Sequence, residues 1–87
     1  DWFDLLPIVA ETWDGDLNDI MGLHVQLEHV QQAILGAQNG PIAEGSVGGG
    51  TGMRAFAWKA GAGTASRVVR VNDHNYIIGV YVQANFG

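Results

Sequence analysis

Residues 67–87 read RVVRVNDHNYIIGVYVQANFG, and this stretch decides what kind of fold the chain can have. Arg67 to Val71 is a short run rich in valine, a residue that suits a pleated surface. Asn72 to Asn75 supply turn chemistry. From Tyr76 to Val82 the residues are apolar on both faces, the pattern of a central strand covered on both sides. Two strands joined by a turn are expected, the second buried in a sheet.

Upstream, MRAFAWKA (53–60) alternates, with Phe56 and Trp58 on one side, and predicts another strand. GAGTAS (61–66) interrupts it, and two Gly-Thr pairs, at 50–51 and 63–64, read as turns on either side. Between about Gln26 and Gln38, Leu27, Val30, Ala33, Ile34 and Ala37 recur at spacings of three and four, one face of an amphipathic helix. Asn39-Gly40-Pro41 stops it. Leu5 to Ala10 is a short apolar run read as a strand ending near Glu11, followed by an irregular loop at Asp14-Gly15-Asp16. The order strand, helix, three strands predicts a mixed α/β (α+β) fragment with a largely buried sheet.

At 87 residues the chain is at most one small domain, and a domain of that length buries little more than about 60% of its unfolded surface. It opens on Asp1 and stops at Gly87, each against an apolar segment, so residues 1–87 are expected to be a partial domain within a larger protein. The net charge is −5 and unevenly spread: eight acids and no Lys or Arg in 1–50, all four bases and one acid in 51–87. An acidic chain with four dispersed bases lacks the footprint of a nucleic-acid binder. No run of apolar residues is long enough for a membrane span. Cysteine is absent, which removes thiolate nucleophiles and thiolate metal sites.

EGSVGGGTGM (44–53) holds five glycines and raises the question of phosphate binding. Gly45 and Gly50 have P-loop spacing, but Thr51-Gly52 stands where the phosphate-reaching lysine and magnesium-holding hydroxyl are needed. The loop leads into strand-like sequence and not into a helix N-terminus. Tight backbone approach is the favoured role for these glycines. DGDLND (14–19) resembles the start of a calcium loop, but Asp19 stands at the glycine position and Val25 at the glutamate position. His24 and His29 are five apart, off a shared helical face, and His74 lies in a turn. No metal site and no cofactor are expected. The hydroxyls Thr12, Ser46, Thr51, Thr64 and Ser66 sit in no nucleophile elbow and have no serine-lysine arrangement.

Two residues stand out. Glu11 ends an apolar run, where a carboxylate is costly unless paired. Asn85 ends the apolar strand beside Phe86 and Gly87, where its amide can be aimed at a ligand. Strand ends are where α/β folds often build sites.

VAETWDGDLNDI, HVQLEHV, GPIAEGSVGGGTGM, KAGAGTASRVV and YIIGVYVQANFG together resemble the β-peptidyl aminopeptidases. Those enzymes share a family of self-processing serine aminopeptidases with the L-aminopeptidase D-amidase/D-esterases. The resemblance implies a four-layer αββα sandwich with mixed, mostly buried sheets, of which this chain is an internal part of the α chain. It implies a precursor that cuts itself, freeing a nucleophilic serine at the start of a β chain. Expected partners are that β chain, further αβ units in a homo-oligomer, and a peptide, amide or ester with a free N-terminal amine. By position, Asn85 matches the asparagine of the oxyanion hole and Glu11 the carboxylate near the substrate's amino group. Trp13 stands where the L-aminopeptidase branch has tyrosine; it is similar to the β-aminopeptidase branch, where it would wall the pocket, and favours β-amino-acid substrates. Two rivals remain: an acyltransferase on the same architecture, akin to ornithine acetyltransferases, and a non-catalytic assembly module.

Overall fold

The computed structural model describes residues 9–87. One helix, α1 (Leu27–Leu35), precedes four strands: β1 (Arg54–Ala55), β2 (Trp58–Lys59), β3 (Ala62–Val71) and β4 (His74–Gln83). They form two separate antiparallel sheets of two strands each, β1 with β2 and β3 with β4. The class is α+β. Among the described residues both sheets are antiparallel, where a mixed sheet was expected.

The β3–β4 hairpin runs ten residues on each side, from Ala62 opposite Gln83 to Val71 opposite His74. Asn72 takes a left-handed φ of 55°, a conformation asparagine tolerates better than most residues, and the turn closes tightly. GAGTAS was expected to interrupt the strand, yet Ala62 to Ser66 belong to β3. Its small residues instead admit a second backbone. Gly45 donates to Ala62 O at 2.7 Å and accepts from Ala62 N at 2.9 Å, which is a close approach that glycine permits.

Glu44 completes this junction. One of its carboxylate oxygens accepts from both the Thr64 backbone N–H and the Thr64 hydroxyl, each at 2.7 Å. Those two bonds, the hydroxyl's first, hold the carboxyl below the ordinary glutamate range. A lowered folded pKa means the stabilisation is present above the unfolded-state value and lost as pH falls through the folded one. Glu44→Gln should therefore lower the thermal stability of the full-length protein slightly at neutral pH, leave it nearly unchanged below the folded pKa, and so flatten the acid limb of the profile. An equally steep acid limb in the variant would remove this role.

MRAFAWKA is not one strand. Phe56 and Ala57 both take left-handed φ, 48° and 64°, and fold the segment into the tight β1–β2 hairpin. Each such non-glycine residue costs on the order of 1–3 kcal/mol. Phe56 offsets this by meeting Phe86 edge to face, ring centroids 5.0 Å apart. Its N–H also donates to Phe86 O at 3.0 Å, and Phe86 N–H donates to Arg54 O at 3.2 Å. Beyond Gln83 the chain thus stays tied to the first hairpin.

The helix forms where the periodicity predicts, one residue later at its start and shorter at its end. His29 Nδ1 accepts from the Gln26 N–H at 2.9 Å, satisfying a donor at the helix start. The expected strand near Glu11 is not seen over 9–11, which are irregular; residues 5–8 lie outside the described residues. Gly63-Thr64, expected as a turn, lies inside β3.

The tightest packing is at the glycine-rich loop. Gly50, Gly52, Met53 and Ala62 are buried, and Met53 and Ala62 are the buried hydrophobic residues among those described. By contrast Ile77, Ile78, Val80, Tyr81 and Val82 leave both faces of β4 exposed, as do Leu27 and Ile34 on the helix. The burial expected for the sheet is therefore not supplied by the described residues. Expressed alone, the 87 residues should aggregate or unfold without a cooperative transition. A sharp calorimetric melt from the isolated chain would contradict this.

Candidate active site

The candidate site assembles at the end of β4, where the first and last described segments meet. Asn85 is fixed by backbone on both sides: Ala84 N–H donates to Gly61 O at 3.1 Å and Phe86 N–H to Arg54 O. Its side chain then makes a paired contact with the main chain of Trp13. Oδ1 accepts from Trp13 N–H at 2.7 Å, and Nδ2 donates to Trp13 O at 2.9 Å. The amide imitates a strand partner across 72 residues of sequence.

This pairing settles which way the amide faces and leaves one N–H of Nδ2 over. That hydrogen has a long contact, 3.4 Å, to Arg54 O. At that length the bond is weak, so a better acceptor placed nearby can take the hydrogen at little cost. A rigid donor with its orientation already determined is what stabilisation of a developing oxyanion requires.

Trp13 is 59% exposed and lines, with Asn85 and Phe86, a cavity of about 190 Å³. Arg54 and Asp16 line the same cavity and form an ion pair, Nη1 to Oδ2. Neither residue stands out in the sequence. Both side chains are well exposed, so the pair contributes little to stability; it links the loop beside Trp13 to β1. The rest of the DGDLND loop is a turn: Asn18 N–H donates to Asp14 O at 2.9 Å, and the Asn18 amide to Asp14 Oδ2 at 2.8 Å.

Glu11 lies two residues before Trp13, exposed and in no ion pair among the described residues. The structure thus joins Trp13 and Asn85 directly and brings Glu11 along as a sequence neighbour. Histidines take ordinary roles. His24 bonds Asp19 at 3.1 Å, His29 caps the helix, and no metal-binding cluster occurs among the described residues. In the glycine-rich loop, Gly50 O accepts from Lys59 Nζ at 3.2 Å, a backbone acceptor turned to a cation.

The whole chain, residues 1–87, matches the profile of Peptidase family S58. The chain belongs to that family. Within this S58 chain, similarity extends to proteins of known description. It is 58% identical over 86 residues to beta-peptidyl aminopeptidase BapA of Sphingosinicella microcystinivorans, covering 99% of this chain and 21% of that protein. It is 57% identical over 83 residues to the protein of the same name from Sphingosinicella xenopeptidilytica, covering 95% of this chain and 21% of the relative. The S58 chain therefore spans about a fifth of the length of the curated relatives it matches.

Proposed function

We propose that this chain is part of the α chain of a serine aminopeptidase that removes N-terminal residues from peptides, amides or esters. The chemistry is acyl transfer. A serine on a β chain, released by self-cleavage of the precursor, attacks the substrate carbonyl. The proton leaves the hydroxyl to a base, the amine departs protonated, and water then hydrolyses the acyl-enzyme. Asn85 contributes an N–H to the oxyanion of the tetrahedral intermediate. Glu11 pairs with the substrate's ammonium, which must be neutralised once desolvated. Trp13 walls the pocket, favouring β-amino acids at the N-terminus.

The observation that carries this reading is the double hydrogen bond between the Asn85 amide and the Trp13 main chain. It supports reading Asn85 as a preoriented donor beside the segment that would hold the substrate's amino end. The kinship with proteins named beta-peptidyl aminopeptidases supports the substrate class. The complete fold is a four-layer αββα sandwich, in which further layers cover the apolar faces of β4 and α1.

Expression of the full-length protein tests this reading. Mass spectrometry should find two chains, the second beginning with serine, and the assembled protein should release aniline from β-alanyl anilide. An uncut precursor, or a second chain beginning with threonine, would count against it.

A further inference from the structure

Gln83 closes β4 two residues before Asn85, and its amide touches two parts of the chain that sequence separates widely. Nε2 donates to Thr12 Oγ1 at 2.7 Å. On its other side lies the glycine-rich loop, where a Cβ added at Gly49 would overlap Gln83 Oε1. Gln83 and Asn85 thus grip consecutive residues, Thr12 and Trp13. Glu11 makes no ion pair of its own among the described residues, so its place depends on these neighbours.

We propose that Gln83 is a positioning residue, seated by Gly49, that holds the Glu11–Trp13 segment in register to receive the substrate's ammonium. This rests on the assignment of Glu11 and Trp13 to the substrate's amino end. Small displacements of groups that orient a substrate have large kinetic effects. The glycine-rich loop acquires a role through it. Gly49 lacks a left-handed φ, unlike Gly45 and Gly48, so alanine fits its backbone. What alanine does not leave is room for the Gln83 amide.

The test uses the full-length protein and β-alanyl anilide. Gln83→Ala should raise KM about tenfold, the effect of losing one hydrogen bond of roughly average strength or better, with kcat within about threefold. Thr12→Val should do the same, and the double variant should be no worse than either single one, since both remove one bond. Gln83→Glu should restore KM, because its carboxylate accepts the Thr12 hydroxyl proton. Gly49→Ala should reproduce Gln83→Ala by displacing the amide tip. Independently of activity, the Trp13 backbone amide, which donates to Asn85 Oδ1, should exchange with deuterium about tenfold faster in Gln83→Ala.

A Gln83→Ala protein with wild-type KM, or additive losses in the double variant, overturns the positioning role. A wild-type protein that leaves the anilide intact overturns the parent reading and this role together. That outcome is distinguishable from failure of the anchor alone, where the wild type cleaves and Gln83→Ala matches it.

Discussion

Asn85→Ala in the full-length protein should lower kcat about 100- to 1,000-fold, the usual effect of removing one oxyanion donor. Alanine removes three things at once: the acceptor for Trp13 N–H, the donor to Trp13 O, and the remaining N–H facing Arg54 O. Asn85→Asp separates them. Aspartate keeps an oxygen for Trp13 N–H but has no hydrogen to donate, and it places a negative charge where an oxyanion would develop. Asn85→Asp should therefore be at least as slow as Asn85→Ala. If aspartate restored most of the wild-type kcat, anchoring of Trp13 would be the whole role of this residue and the donor assignment would fail.

Glu11→Gln should mainly weaken recognition of the free amine. The carboxamide keeps size and hydrogen bonding but no charge, so the bound ammonium loses its counter-ion. Leaving a buried charge without its partner costs about 2–5 kcal/mol. Glu11 is exposed in this chain, and solvent screening argues for the lower end of that range. At about 2 kcal/mol, kcat/KM for β-alanyl anilide falls roughly 30-fold. The loss should be confined to substrates with a free amine, and the slow background on N-acetyl-β-alanyl anilide should not change. Equal losses on both would show that Glu11 supports the fold of the segment and does not bind the amine.

Where local chemistry sufficed, the sequence was readable. The helix follows from five apolar residues at helical spacing, and the long hairpin from valine-rich runs around Asn72-Asp73. The misread segments are those where tertiary contacts override local preference. Phe56-Ala57 carries no glycine or asparagine, so its left-handed turn could not be seen without Phe86 against it. GAGTAS looks like a breaker because its residues are small, but they are small to let Gly45 pair with Ala62. In the candidate site, Glu11 and Asn85 stand out as polar residues ending apolar runs, while their roles, and Trp13 altogether, come from the resemblance. What no local pattern holds is that the Asn85 amide spends two of its groups on Trp13, or that Gln83 grips Thr12, because both contacts span more than 70 residues. The Arg54–Asp16 pair has no local signature either, since 38 residues separate the two.

The glycine-rich loop illustrates the same division. Its lack of a P-loop lysine argues against phosphate binding from sequence alone. Its place as the most buried part of the described chain needed the structure, because nothing in the spacing of five glycines says which of them face backbone.

The most direct measurement compares β-alanyl anilide with its N-acetylated counterpart as substrates of the full-length protein. An aminopeptidase that reads the free amine through the Glu11–Trp13 segment should cleave the first and leave the second almost untouched. Equal hydrolysis of the two, or hydrolysis of neither, would contradict the account.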